Sequence, residues 1–256
     1  MSSTEALLMT WALPKKIAGE SIVTASQKVS VVTGASRDIG AELIEGVRQC
    51  GYRVVATSRW IAPTDDPNVD IVDPATARCV VSVGAARLVG PDTVANNAGI
   101  LISTGFTSDT KQDHVVVTRV NLTGLIYITQ LADLPIGQNE KQSNGDVVSI
   151  TTSLTERADN NVPSVPVSLT KGALNAATKA LAIERAKRGV RANPASPGVI
   201  KSPLHPLEIH SAPDALDPIV HVGWISDMVD DVLHLESPPF VTGEISHVDD
   251  GRNAGH

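Results

Sequence analysis

The sequence predicts an α/β fold in a single domain: a doubly wound parallel sheet with helices on both faces. Three observations point to it. Short β-branched runs alternate with stretches of helical periodicity from residue 28 onward. The runs are almost continuously apolar, as strands buried on both faces must be. Aromatic residues make up only 3% of a chain that is 42% hydrophobic, so the core has to be built from Val, Leu, Ile and Ala.

The elements follow in order. Residues 28–33 (KVSVVT) read as a buried strand that ends at Gly34. Ile39, Leu43, Ile44 and Val47 recur at helical spacing, closed by Cys50 and Gly51. Residues 53–57 (RVVAT) form the next strand, and Ala77, Val80, Val81 and Ala85 mark a helix ended by Gly90 and Pro91. A strand over 92–96 runs into Asn97, Ala98 and Gly99, and one long helix is expected over 108–131. The second half repeats the rhythm, with a strand at 146–150, a helix at 168–187 and a strand at 190–195. Residues 203–223, rich in Pro and His, read as a loop or lid; His205 and His210 within it read as solvated loop histidines able to touch a substrate. A short helix at 225–235 and a last strand at 243–248 complete the pattern. Strands alternating with helices at this spacing imply right-handed crossovers and a parallel sheet.

Composition excludes several functions. A length of 256 residues suits one domain. The net charge is −7 and no basic run exceeds a pair, which argues against nucleic acid as a partner. Cys50 and Cys79 lie far apart, without metal or redox spacing, and fit a reduced cytoplasmic setting. The apolar stretch 6–13 is too short to span a bilayer and lacks a basic flank, so no membrane association is expected. Residues 1–27 read as an N-terminal extension, and 28–256 as the domain. Asp227, Asp230, Asp231 and His234 are read as the exposed face of a short helix, not as a metal site.

The chemistry-bearing motifs sit at strand ends. Residues 33–40 read TGASRDIG at a strand–helix junction, where glycine lets backbone N–H groups approach a pyrophosphate. Arg37 in this turn and Ser58–Arg59 after the second strand offer two guanidinium groups for a 2′-phosphate, which favours NADP over NAD.

This turn resembles the TGxxxGxG turn of the short-chain dehydrogenase/reductase family. Further resemblances follow in order: Asn96-Asn97-Ala98-Gly99 to the family's NNAG, Ser196-Pro197-Gly198 with Ser202 to its nicotinamide loop, and Thr242-Gly243 and Val248-Asp249-Asp250-Gly251 to its C-terminal TG and VDGG. The resemblance covers residue 28 to the end and implies a Rossmann-like fold. Its implied cofactor site comprises Gly34, Ser36, Arg37, Ile39, Gly40, Ser58, Arg59, the adenine-flanking Asp70 and Ile71, and Asn97, Ala98 and Gly99. Thr151, Lys171, Pro197, Gly198, Ile200 and Ser202 complete it. Two positions depart from the pattern. Asp38 stands where the family has the second glycine of the turn, placing a carboxylate where it repels a pyrophosphate or caps the helix. Asp250 replaces the first glycine of VDGG, which strains the turn if φ is positive there.

In the resembled family a tyrosine exchanges a proton with the substrate oxygen, aided by a lysine four residues on, a serine upstream and an asparagine on an earlier helix. Lys171 matches the lysine and Asn121, in VNLTG, the asparagine. Ser153 matches the serine, with Thr152 left as a second candidate. The tyrosine position is Val167, and the chain's two tyrosines, Tyr52 and Tyr127, lie elsewhere in the sequence. Ser153, Thr152, Ser164, Ser168, Lys171 and a bound water are the alternative proton donors. The resemblance therefore implies an NADP(H)-dependent oxidoreductase, NAD being possible, that acts on a small carbonyl or alcohol substrate. The alternative is a catalytically silent dinucleotide-binding or regulatory member. A homotetramer or dimer, packed through the helices around Asn121 and Lys171, is also implied.

Overall fold

A computed structural model describes residues 28–58, 78, 91–133, 145–160, 162–202, 222–237 and 239–255. Within them six strands form one parallel sheet: β1 (Val29–Thr33), β2 (Arg53–Thr57), β3 (Thr93–Asn96), β4 (Gly145–Ile150), β5 (Val190–Pro197) and β6 (Ser246–Val248). The order is β2-β1-β3-β4-β5-β6. Val31 pairs with Val55 of β2 on one side and Val94 of β3 on the other. The chain thus leaves β1 in one direction and later returns on its far side, which opens a crevice at the carboxyl ends of β1 and β3.

The sheet is buried on both faces. Val29, Val31, Val55, Val94 and Val147 pack with Ile128, Ala132 and Ala182 in one apolar cluster. Val32, Val54, Ala95 and Val148 point the other way, against Leu43, Val47, Met228 and Val232. Alternation along each strand sends neighbouring residues to opposite layers. The first layer is served by α3 (Leu125–Asp133) and α4 (Val165–Arg185), the second by α1 (Asp38–Gln49) and α5 (Ile225–Glu236). The doubly wound parallel fold expected from the sequence is therefore present.

The helix expected over 108–131 is three pieces. Thr110 caps α2 (Lys111–Thr118): its hydroxyl accepts from the Asp113 N–H at 3.1 Å, and Asp113 accepts from the Thr110 N–H at 3.2 Å. A π-type segment, Arg119–Gly124, follows, and then α3. Segments of this kind often mark functional sites. By length and composition the stretch Lys111–Ala132 is apolar enough to cross a bilayer, yet Val117, Asn121, Ile128 and Ala132 are buried in the protein. Helix α4 begins at Val165, ahead of the expected 168, because Pro166 occupies the first turn, where a missing N–H has no partner to lose. The last strand is shorter than expected: Gly243, at φ 76°, donates instead to the Ala192 carbonyl at 2.8 Å.

At the amino ends of the strands, Asp146 of β4 and Arg191 of β5 form a buried pair at 2.5 Å. Arg191 also donates to the carbonyls of Leu235 and Glu236 at the end of α5. Burial raises the carboxyls of Asp146 and Glu236 to about 7 each. The helix expected around 77–85 (apart from Arg78), the extension 1–27 and lid residues 203–221 lie outside the described residues, as does Cys79.

Candidate functional site

The first strand–helix junction is pinned to the segment after β3. The Thr33 hydroxyl accepts from the N–H groups of Asn97 at 3.1 Å and Ala98 at 3.0 Å. The Asn97 amide donates back to the carbonyls of Thr33 at 3.0 Å and Gly34 at 3.3 Å. Gly34 sits at φ 67°, and a Cβ there would lie 2.8 Å from Ala98 Cα. A Cβ on Gly40 would meet Asn97 Nδ2 at 2.6 Å and run into the Gly34 carbonyl. Both positions require glycine because the segment after β3 and the turn itself pack directly against them; the turn they permit leads into the amino end of α1, where backbone N–H groups favour an anion.

The remaining turn residues ring this backbone. The hydroxyls of Ser36 and Ser58 lie 2.7 Å apart, joining the turn to the end of β2. Arg37 precedes α1 in extended conformation and is largely exposed. Its Nε lies 3.6 Å from the Asp38 carboxylate. Asp38 itself has φ 53°, so an aspartate occupies a left-handed position suited to glycine. Ile39 is half-buried beside it and packs against the second core layer. Arg59, Asp70 and Ile71 lie outside the described residues.

The second half of the site gathers at the ends of β3 and β4. Lys171 is buried on α4, and its Nζ donates to the Ile150 carbonyl at the end of β4 at 2.6 Å. Burial lowers its pKa to about 8. A Cβ on Gly99 would come within 3.0 Å of Lys171 Nζ and 3.4 Å of Asn121 Oδ1, so the three expected residues are adjacent. Asn121, fully buried in the π-type segment, is held from three sides. Its Oδ1 accepts from the Ile100 N–H at 2.9 Å, while its Nδ2 donates to the Ile100 carbonyl and to the Thr170 hydroxyl, each at 3.1 Å.

Ser153 is buried just beyond β4, in a short 3-10 turn capped by Thr152, whose hydroxyl accepts from Leu154 N–H at 3.4 Å. Thr151 donates its N–H and its hydroxyl to the Ala195 carbonyl. Ser168 gives its hydroxyl to the Leu154 carbonyl at 3.1 Å. Val167 is buried one turn before Lys171. Tyr52 and Tyr127 pack against the two core layers, away from α4's first turn.

Beyond β5, Pro197 ends the strand and Gly198 packs on the C-terminal segment, its N–H donating to the Val248 carbonyl at 2.9 Å. Ile200 is buried and bridges to Gly223; Ser202, two residues on, is buried as well. Asp250 does have positive φ, 61°, the strained condition foreseen for that substitution. Asp249 ties the turn by accepting from the N–H groups of Gly251 at 3.2 Å and Asn253 at 2.9 Å. The tail then latches onto the loop that carries Ser153. Arg252 donates to Asp159 at 3.1 Å, Arg157 donates to the Arg252 carbonyl, and His247 contacts Glu156.

The acidic face of α5 is only partly exposed. Asp227 accepts from the Trp224 N–H at the helix start, and Asp231 accepts from the Ser246 hydroxyl, while Asp230 and His234 face solvent. Among the described residues no group of three or more His, Cys, Asp or Glu is placed to hold a metal ion. Sequence reasoning missed two residues that build the site. Thr33 and Thr170 each organise it through one hydroxyl, and the only signal was their position beside the turn and beside Lys171.

Comparison with known proteins agrees with this architecture. A family model described as Enoyl-(Acyl carrier protein) reductase matches residues 34–253. L-xylulose reductase from Bos taurus is 30% identical over 236 residues, covering 87% of this chain and 95% of the relative. L-fucose dehydrogenase from Bos taurus is 33% identical over 198 residues, covering 73% and 71%. Among solved structures, a blue fluorescent protein from a metagenomic library, in complex with NADPH, superposes with a TM-score of 0.78 at 25% identity, covering 89% and 98%. The chain belongs to the short-chain dehydrogenase/reductase family, a family of oxidoreductases.

Proposed function

We propose that this protein is an NADP(H)-dependent oxidoreductase that interconverts a carbonyl and an alcohol on a small molecule, with a proton donor other than tyrosine. The observation that carries the reading is Lys171, buried and held at 2.6 Å on the Ile150 carbonyl beside Asn121 and Gly99. A buried lysine without an apolar or structural reason to be there is a functional candidate. The tight glycine turn leading into the amino end of α1 supports a site for a dinucleotide pyrophosphate, with Ser36, Ser58 and Arg37 assigned to a 2′-phosphate. Asp38 is the one residue of the turn that does not fit an anion. The NADPH held by the metagenomic relative supports the cofactor class.

When bound, the nicotinamide supplies or accepts the hydride. The chain's own residues then have to place the substrate oxygen and move one proton. Ser168 spends its hydroxyl proton on the Leu154 carbonyl, whereas the Thr152 hydroxyl accepts from the Leu154 N–H. Among the candidate donors the reading assigns Ser153, buried at the end of β4, to hold the substrate oxygen, and Lys171 to donate. With a pKa of about 8, Lys171 is mostly protonated at neutral pH and poised to give up its proton. Asn121, locked by Ile100 and Thr170, keeps the π-type segment against the lysine. Ile126, Leu169 and Ile183, exposed apolar residues on α3 and α4, support a homodimer or homotetramer through those helices.

Val167 favours a second reading, a silent dinucleotide-binding member, because a valine cannot exchange a proton. One experiment separates the two. Purified wild type and Val167→Tyr are assayed side by side for NADPH oxidation against a panel of ketones, with NADP(H) binding measured in parallel. Turnover by the wild type supports the enzyme. Binding without turnover by the wild type, with activity appearing only in the tyrosine variant, supports the silent member.

A further inference from the structure

We propose that Asp38 is a built-in charge gate on the dinucleotide site: it lowers affinity for the pyrophosphate and, by pairing with Arg37, weakens selection of the 2′-phosphate. This rests on the reading that the turn after β1 receives a dinucleotide.

Four observations converge on Asp38. It opens α1, at the end of the helix whose backbone N–H groups favour an anion. It holds φ 53° within the turn bounded by Gly34 and Gly40, in a left-handed conformation suited to glycine. Its Oδ1 is shielded from solvent and has no hydrogen-bond partner among the described residues. Its Oδ2 lies 3.6 Å from Arg37 Nε. Asp38 is the first residue of α1 and not its cap, which is Arg37 and makes no side-chain capping bond. The return for its charge is the interaction with the helix dipole, the same field that would attract a phosphate.

The consequence has two parts. A fixed carboxylate beside the cradle repels a pyrophosphate of like sign, in a partly buried setting that screens it poorly. It also pairs with the Arg37 guanidinium, which then has a carboxylate competing with a 2′-phosphate for its charge. Removing the carboxylate strengthens binding of either dinucleotide and frees Arg37 for the extra phosphate of NADPH.

The test is isothermal titration of NADPH and NADH into the purified full chain as wild type, Asp38→Asn and Asp38→Gly. The amide keeps the shape and removes the charge; the glycine also relieves the left-handed backbone. Both variants are expected to bind NADPH about tenfold or more tighter, with NADH gaining less, so the ratio of the two affinities rises. Unchanged affinities in both variants, alongside measurable binding by the wild type, would overturn the gate and leave the cofactor site standing. Absence of binding by all three proteins would overturn the cofactor site itself, and the gate with it.

Discussion

The Lys171 ammonium nitrogen lies 2.6 Å from the Ile150 carbonyl oxygen, so the lysine is fixed against the end of the strand that leads into Ser153. Its pKa is lowered to about 8 by burial. In the unfolded chain the same group titrates near 10.5. Between these values the unfolded state binds more protons, and stability rises with pH. The burial penalty is therefore complete below pH 8 and relieved by pH 10.5. Urea melts of wild type and Lys171→Met across that range are expected to show the wild type gaining up to about 3 kcal/mol relative to the variant.

Thr33 is buried, and its hydroxyl is the acceptor for two backbone N–H groups. Thr33→Val keeps the shape and leaves the Ala98 N–H without its partner, while the Asn97 N–H keeps the Ala95 carbonyl at 3.0 Å. A loss of about 1–3 kcal/mol is expected in urea unfolding. Amide exchange at Ala98 should accelerate along with it.

The tail latch predicts a local effect. Arg252 and Asp159 are each mostly buried as side chains, and Arg157 reaches the Arg252 carbonyl. In Arg252→Ala, hydrogen exchange should rise across residues 153–160 while β1 and β3 keep their protection. If the two strands lost protection equally, the latch would be a global rather than a local tie.

Asp146 and Glu236 predict a pH dependence of opposite sign to that of Lys171. Their carboxyls are raised by burial to about 7, against ordinary values near 4. The native state holds the extra protons between pH 4 and 7, so the stability they contribute is full below pH 4 and lost as pH rises through 7. The Asp146→Asn/Glu236→Gln double variant should flatten that decline, which thermal melts between pH 4 and 8 would read directly.

Much of this was legible in the sequence because the relevant signals are local. The strands β1, β2 and β4 are short apolar runs with a glycine or polar turn at one end, and the TGASRDIG turn names its own helix start. Lys171 and Asn121 sit in short recognisable segments, and the structure does bring them together at Gly99. What could not be read depends on contacts across long separations. Thr33 meets Asn97 and Ala98 more than sixty residues away, and Arg157 meets Arg252 at a separation of 95. The break in the expected 108–131 helix was hidden because Val117, Asn121, Ile128 and Ala132 keep helical spacing throughout, so periodicity alone does not reveal the wider turn. Asp38 was visible as an oddity, but its left-handed backbone belongs to the folded turn and not to any residue pattern.

Because every strand runs the same way, the molecule has two chemically distinct poles. Asp146 and Ile150 lie on the same strand four residues apart, about 13 Å along it, with the ionisable knot of Arg191 at one pole and the carbonyl that holds Lys171 at the other. Substitutions that distant tend to act independently. Changes at the ionisable pole should therefore alter the pH dependence of stability while leaving the chemistry at the opposite pole separately measurable.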